Sequence, residues 1–518
     1  MERIVRVPSN DFSSERFDTG FYSKEYYEAR NKLNSSDFTI ETIGSVCEPW
    51  QFGAYALCSE IEWSQEHEGV CFIKAEGIES PLLNESNLSF VTKKTHQLLY
   101  KSALKSGDII VSTSGTVGRL AVIPENIQEA NSNQDTIKFS LEGTEYDSYF
   151  VASWLTSKYA QAYMGREAGG AVQQHIYLYN FKRLPLIKPN VLVQKYIGEK
   201  VRQAERLRAW AKQLRADVNS VLDDLALPIH AKPHMYSYAN KSILGDRLDP
   251  RPYRSNVVYL VNGIESLLHD KMSSLVTFSS GCPVSSDDFV EENFEIPLIR
   301  IRNISEEGFK GLDTGVTRKT YADAENYQAK EGMIVLGMDG YFKAQFFIRE
   351  ELPMLINQRV AMLTVSGIRT ELLTHWLNRP EGQLQLNQWA VKTTVEHTSL
   401  TDLAKVLIPR LNDNLETELA DKLLDARYSI KLSYKLTNLA KHLVEDLIEG
   451  QLTESKLVSA QQALEAGDDS LDRALLERMT AEGVDGEGEP LFDDIDQLYE
   501  LLDKAKHALE ADDTMAEA

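Results

Sequence analysis

An internal duplication constrains this chain more than any other feature, because a sequence that repeats at a near-constant offset folds as copies of one body. Arg16-Phe17-Asp18 with Tyr22 returns as Arg247-Leu248-Asp249 with Tyr253. Gly107-Asp108-Ile109-Ile110-Val111 leads in eight steps to Gly115, and Gly332-Met333-Ile334-Val335-Leu336 leads in eight to Gly340. Asn133-Gln134 opens an alternating stretch ending near Phe139, and Asn357-Gln358 opens one ending near Leu363. Trp154-Leu155 precedes His175 by 21 and 20 residues, and Trp376-Leu377 precedes His397 by the same intervals. The offset drifts only from 231 at the first marker to 222 at the last, too steady for five coincidences.

Both copies end alike. An apolar stretch with a proline follows each His, Leu184-Pro185-Leu186-Ile187 in the first and Leu407-Ile408-Pro409 in the second. Beyond it, Val193, Ile197, Val201, Ala204, Leu207, Ala211, Leu214, Val218 and Leu222 recur at intervals of three or four. Leu415, Leu419, Leu423, Ile430, Leu436, Ala440, Leu443 and Leu447 do much the same in the second copy. Neither Pro nor Gly interrupts from Glu199 to Leu227 or from Leu411 to Glu449, so each stripe predicts a helix of roughly 50 Å with one apolar seam. The segments 108–113, 136–139, 296–302 and 333–336 are short, β-branched and bounded by Gly, Asn or Pro, which predicts strands. The fold class expected is therefore α+β: two strand-rich pseudo-repeats, each followed by a long helix.

Motifs of autonomous catalysis are missing. The sequence has no Walker loop ending in Lys-Ser/Thr, no Asn-Pro-Pro-aromatic tetrapeptide of an amino-methyltransferase, and no HExxH or Cys/His cluster. Gly115-Thr116-Val117-Gly118 lacks the lysine and following helix of a phosphate loop. The stretch Gly107 to Gly118 (GDIIVSTSGTVG) does resemble the target recognition domains of type I restriction–modification specificity subunits. So do Thr393-Thr394-Val395-Glu396-His397 running into Leu403 and Ile408-Pro409, and Gly337-Met338-Asp339-Gly340 with Asn357-Gln358-Arg359-Val360. The resemblance covers residues 12–450.

It implies a non-catalytic subunit that reads a bipartite DNA target, one half per domain, across an unread spacer. Its two helices would pair as an antiparallel coiled coil and dock methyltransferase subunits. The division implied is a first target recognition domain at 1–190, a first spacer helix at 191–227, a second recognition domain at 228–410, a second helix at 411–450 and an acidic helical tail at 451–518. Partners implied are double-stranded DNA, two methyltransferase subunits and a nuclease–translocase subunit. This chain would hold no cofactor, S-adenosylmethionine and ATP being bound by those partners.

The net charge of −23 runs against a DNA binder, where a basic footprint is expected. Residues 451–518 carry 19 acidic and 5 basic side chains, a net of −14, which leaves −9 on the first 450. Contact with DNA must come from clustered basic residues or from a partner. The tail, with helices predicted at 471–479 and 491–509, departs from the family pattern; it could bind another subunit, occlude the DNA site or merely solubilise. No apolar run approaches 18 residues and the first ten lack a signal-peptide core, so a cytoplasmic protein without a membrane span is expected. Cys47, Cys58, Cys71 and Cys282 form no CxxC pair and read as buried thiols.

Duplex recognition calls for Arg, Lys, Asn, Gln and Ser/Thr on loops, some gripping phosphate and some reading base edges. In the first copy the candidates are Ser112, Thr113, Ser114, Thr116, Arg119, Gln173 and Gln174, beside His175. The competing reading is that Gly115 and Gly118 turn a hairpin whose hydroxyls satisfy its own backbone. In the second copy they are Arg300, Arg302, Asn303, Lys343, Arg359, Lys392, Thr393 and Thr394. Alternation with Ile299 and Ile301 would put Arg300 and Arg302 on one strand face, where a salt-bridged surface is the competing reading. His175 and His397 occupy matching positions, which favours a shared structural role, and Trp154 and Trp376 read as core. Arg202, Arg206, Arg208, Lys212 and Arg215 read as a solvated helix face. Two other functions stay open: an adapter in a different DNA-targeting defence system, and an acidic DNA-mimicking scaffold or inhibitor.

Overall fold

A computed structural model describes residues 7, 9–13, 16, 18–52, 59–169, 174–229, 247–392 and 395–516. The chain divides into two units, residues 1–207 with 432–518, and residues 208–431. One helix runs unbroken from Val191 to Asp223 and another from Asp413 to Glu449. The predicted seam of the first is buried at every one of its nine positions, and that of the second at all but Leu415, which is partly buried.

In the first unit, Ile109–Ser112 pairs antiparallel with Thr136–Phe139 on one side and Leu120–Val122 on the other. All four residues of Ile109–Ser112 are buried, so the strand reads as a continuous apolar run rather than an alternation. A second, mixed sheet orders Ser89–Val91, Val70–Ile73, Glu129–Ser132 and Leu104–Lys105. Cys71, Ile73, Ile78, Leu83, Ile110, Ala121 and Ile123 make the core beneath. Asp147 starts the helix Ser148–Thr156, its Oδ1 accepting from the amides of Tyr149 and Phe150. Ser157 then ends that helix and caps Lys158–Glu167 in turn.

The second unit repeats the plan. Ile334–Gly337 lies between Val360–Val365 and Ala344–Phe346, with Val276–Ser280 added at the edge. The helices Thr370–Asn378 and Pro380–Gln388 stand where Ser148–Thr156 and Lys158–Glu167 stand in the first copy. The duplication extends to single hydrogen bonds. Trp154 Nε1 donates to the Pro185 carbonyl at 2.9 Å, and Trp376 Nε1 to that of Leu407 at 3.2 Å. Gln161 binds the carbonyls of Gly118 and Leu155, and Gln383 those of Phe342 and Leu377. The Tyr22 hydroxyl donates to the Arg16 carbonyl as that of Tyr253 does to Arg247, and each arginine clasps a carbonyl beyond the helix pair, Ala168 or Trp389. These bonds explain why Arg, Tyr and Trp recur as repeat markers, and they add Gln161 and Gln383 as a further matching pair. Each donor satisfies a carbonyl whose loss inside the fold costs about 1–3 kcal/mol.

Three expectations need correction. The strand expected over 296–302 stops at Ile299, and Ile301–Asn303 is a 3-10 turn. The Asn303 side chain causes this: Oδ1 accepts from the Arg300 amide, and Nδ2 donates to the carbonyls of Lys310 and Gly311. The basic face of the first long helix is not simply solvated. Arg202 pairs with Asp147 at 2.6 Å, Arg206 with Glu199, and Arg215 is packed deeply enough that burial lowers its pKa. Of the cysteines, Cys71 is buried, with its thiol pushed up to about 12 by desolvation, while Cys47 and Cys282 are half-buried. Cys58 lies outside the described residues.

The tail is folded. Helices Glu454–Glu465, Ser470–Leu476 and Ile495–Ala516 surround a hairpin at Met479–Thr480 and Gly483–Val484. It packs within the first unit, where Leu457, Leu475, Leu476, Met479, Phe492, Leu498 and Leu501 are buried. Asp472, 2% exposed, takes two bonds from the Lys200 ammonium at 2.7 and 2.6 Å, one from the Tyr196 hydroxyl and one from Tyr499 at 2.5 Å. Lys200 is itself only 1% exposed. Asp446, pushed up to about 6 mainly by burial, accepts from the Val484 amide at 2.9 Å. A merely solubilising extension does not account for this packing.

Candidate nucleic-acid interface

In each copy two loops that are distant in sequence meet at one place. In the first, the turn joining Ile109–Ser112 to Leu120–Val122 pairs with the segment around His175. Ser114 and His175 form a β-bridge, and the Ile176 amide donates to the Thr113 carbonyl at 3.0 Å. Gly115 and Gly118 hold φ of 74° and 87°, a left-handed backbone that other residues adopt at a cost. The loop therefore joins strand to strand, whereas a phosphate loop joins strand to helix.

The second copy reproduces the meeting. Asp339 bridges His397, the Gly340 amide donates to the Glu396 carbonyl at 2.8 Å, and the Thr398 amide to that of Met338 at 3.0 Å. The two histidines thus mark where the loops are sewn together. His397 adds a side-chain contact, Nδ1 to Asp339 Oδ1 at 2.5 Å, and Arg359 reaches the other oxygen of Asp339 at 3.4 Å. Arg251 fastens the same segment from behind, holding Glu396 at 2.5 Å and the Ala390 carbonyl at 3.1 Å.

The sequence candidates separate into groups. Ser112 and Thr113 are buried; the Ser112 hydroxyl donates to the Ser114 carbonyl, and Thr113 is stitched to Asp135 and Ile176 through its backbone. Their hydroxyls face inward because the strand is covered on both faces. Ser114 is half-buried, while Thr116, Arg119 and Gln174 are exposed along the same pair of loops. Asn303 is buried and its amide is used up inside its own turn. Arg300 binds Asp313 at 3.1 Å and Thr314, and Arg302, more exposed, binds Asp313 at 2.5 Å. The salt-bridged reading describes this pair, although the geometry is a turn rather than a strand face. Lys343 and Arg359 are exposed beside Asp339. Lys392 falls in the short strand Val391–Lys392, and Gln173, Thr393 and Thr394 lie outside the described residues.

The sequence reading passed over three exposed aromatics on these loops: Tyr177 and Tyr179 after His175, and Tyr341 after Gly340. The available signal was a tyrosine directly beyond Gly340 and tyrosines two and four residues beyond His175. What the loop pairs offer chemically is a rim of guanidinium, ammonium, amide, hydroxyl and aromatic groups on rigid supports, the inventory that phosphates and base edges require. Among the described residues no group of three His, Cys, Asp or Glu gathers to hold a metal, and no helix is long and apolar enough to cross a membrane.

Comparison with known proteins places this geometry. Residues 63–220, which include the first loop pair and most of the first long helix, match the family model of the type I restriction modification DNA specificity domain. Over that span the chain is similar to the type I specificity-subunit family. It is 28% identical over 155 residues to the type I restriction enzyme EcoBI specificity subunit of Escherichia coli, a match covering 29% of this chain and 31% of that protein. The chain thus spans about a third of the curated relative it matches. Among solved structures, the chain aligns with the type I restriction-modification S subunit from M. genitalium at 14% identity and a TM-score of 0.35, covering 83% of this chain and 96% of that one. The HsdS subunit from Thermoanaerobacter tengcongensis aligns at 13% identity and 0.26, covering 80% and 97%.

Proposed function

We propose that this chain is the DNA-specificity subunit of a type I-like restriction–modification complex, reading a bipartite, gapped target with one half assigned to each domain. The observation that carries the reading is the twin loop pair. The same Gly-turned hairpin is sewn to the same His in both copies, presenting Thr116, Arg119 and Gln174 in one and Lys343 and Arg359 in the other. Two homologous readers on one chain suit a target in two parts, and the specificity-domain match covers one of them.

The long helices would pair as an antiparallel coiled coil that fixes the unread spacer. In support, Val218 and Leu222 of the first pack with Leu419, Ala420 and Leu423 of the second inside one unit. The domain limits 1–190, 191–227, 228–410, 411–450 and 451–518 are proposed on the same basis. The chain itself would be non-catalytic and cytoplasmic, docking two methyltransferase subunits and a nuclease–translocase that bind S-adenosylmethionine and ATP. The docked tail favours one second reading, an adapter in another DNA-targeting defence system, because it is a folded surface present once rather than twice.

Single-molecule methylome sequencing of cells expressing the chain with and without its neighbouring genes tests the proposal. A gapped two-part motif that depends on this chain is expected; an ungapped motif, or none, refutes it.

A further inference from the structure

The two readers are not equivalent at their tips. Superposing the repeat on Gly115 and Gly340, with φ of 74° and 73°, places Thr116 opposite Tyr341 and Ser114 opposite Asp339. Tyr341 is 82% exposed, among the most exposed large side chains in the protein. Its neighbour Phe342 is fully buried and anchors the turn inward, while the Tyr341 ring stands outward.

Both shoulders of the turn are fixed. The Gly340 amide donates to the Glu396 carbonyl at 2.8 Å, and the Gly337 amide to that of Lys343 at 3.1 Å. Val395, 52% exposed, adds an apolar companion within reach of Gly340, where an added Cβ would lie 3.8 Å from its Cγ1. Two exposed cations flank the turn, Lys343 two residues beyond Tyr341 in the chain and Arg359 paired with Asp339 two residues before it. An aromatic held rigidly outward on a turn flanked by cations matches the faces and edges of nucleobases framed by phosphates.

We infer that Tyr341 seats its ring against the bases of the half-site read by the second domain, a contact Thr116 cannot make in the first. This rests on the proposed function. A ring pressed on a base step reads stacking and deformability as well as hydrogen-bond pattern, so the turn of the second reader adds a contact that the turn of the first lacks.

The test compares Tyr341→Ala, Tyr341→Phe and Thr116→Ala in the full-length chain expressed with its neighbouring genes, read by methylome sequencing. Binding to a duplex carrying the recovered motif, with 2-aminopurine placed in each half in turn, is measured in parallel. Tyr341→Ala is expected to lower affinity about ten- to hundredfold. It should relax the motif in one half only and abolish the 2-aminopurine signal there, while Tyr341→Phe keeps all three properties and Thr116→Ala leaves that half untouched. Circular dichroism matching wild type separates this from misfolding, which an 82% exposed side chain gives no reason to expect. Wild-type motif and affinity in Tyr341→Ala overturn the inference, as does equal relaxation of both halves. Absence of any gapped motif in the wild type overturns the specificity reading itself.

Discussion

Removing the Asp472 carboxylate, as in Asp472→Ala, should loosen the tail and the first long helix together. Four hydrogen bonds end on that one side chain, two from Lys200, one from Tyr196 and one from Tyr499. With Lys200 at 1% and Asp472 at 2% exposure, truncation leaves an ammonium and two phenol hydroxyls facing one another without an acceptor. Breaking a buried ion pair from one side costs about 3–5 kcal/mol. Spread over a unit this large, that corresponds to a fall in Tm of roughly 6–15 °C. The pair is not thereby a net gain over an apolar core. Lys200→Met with Asp472→Leu, Tyr196→Phe and Tyr499→Phe should recover most of the loss, since replacing every partner removes the uncompensated charge. Hydrogen exchange resolves the effect by segment, and thermal unfolding of the full-length chain gives its size. In Asp472→Ala, amides of residues 191–207 and 470–505 should exchange faster together while those of residues 276–365 stay as in wild type. A shift below about 2 °C, or protection lost in the tail alone, would refute the coupling described here. The pH dependence has a definite sign. Lys200 and the two tyrosines hold the Asp472 pKa below the usual carboxylate value against its burial, so the stabilisation is present above that usual value and is lost as acid protonates the folded carboxylate.

Three further outcomes follow from other sites. Lys138 is fully buried, its acceptors among the described residues being the carbonyls of Phe52 and Thr136, and desolvation lowers it to about 7. Between that value and the ordinary 10.5 the unfolded chain holds a proton the folded one lacks, so stability should rise with pH through this window. Lys138→Met should raise Tm at pH 7 and flatten that rise, and thermal unfolding in which both proteins keep the same slope between pH 7 and 9.5 contradicts it. Trp154→Phe takes the indole donor from the Pro185 carbonyl and should cost about 1–3 kcal/mol by denaturant titration, whereas Trp376→Phe should cost less because the Leu407 carbonyl also accepts from Gln385 Nε2 at 3.0 Å; a larger loss in Trp376→Phe contradicts this. Arg359→Ala should weaken binding of the motif-bearing duplex and lower the slope of log affinity against log salt by about one; an unchanged slope would remove Arg359 from the phosphate contacts.

Much of this architecture was legible because it depends on spacing. The seam residues from Val193 to Leu222 announced the first helix, and Trp154 and Trp376 announced the core, because helix period and indole burial leave marks that survive in one sequence. The sewn loops were half legible. His175 and His397 could be matched by position, but their meeting with Ser114 and Asp339 is a long-range bridge between segments that share no local pattern. Ser112 and Thr113 misled because a strand covered on both faces buries its hydroxyls as readily as its isoleucines. Arg300 and Arg302 misled through alternation, since Asn303 ends the strand by capping its own turn. The tail was read as acidic with two helices, and its role stayed open. Nothing in a polar residue such as Asp472 tells from sequence that it will be enclosed, and only the partners Tyr196 and Lys200, more than 270 residues away, decide it.

The fasteners inside each reader bear on how such a protein can change its target over generations. Arg247, Tyr253 and Trp376 close the second copy using carbonyls of that copy, so a genetic exchange that replaces the copy whole carries its fasteners along. The first copy is fastened the same way, and the helix directly after each copy is also tied to the tail, the first through Tyr196, Lys200 and the Asn190 amide bound to Glu454, the second through Asp446 bound by the Val484 amide. A crossover upstream of Asn190 leaves that tie whole, whereas one a few residues later joins a foreign helix to a tail shaped for this one. If the chain reads DNA as proposed, the tail thereby sets where the seam of recombination can fall, because new specificities enter most freely by exchanges that stop short of either tied helix.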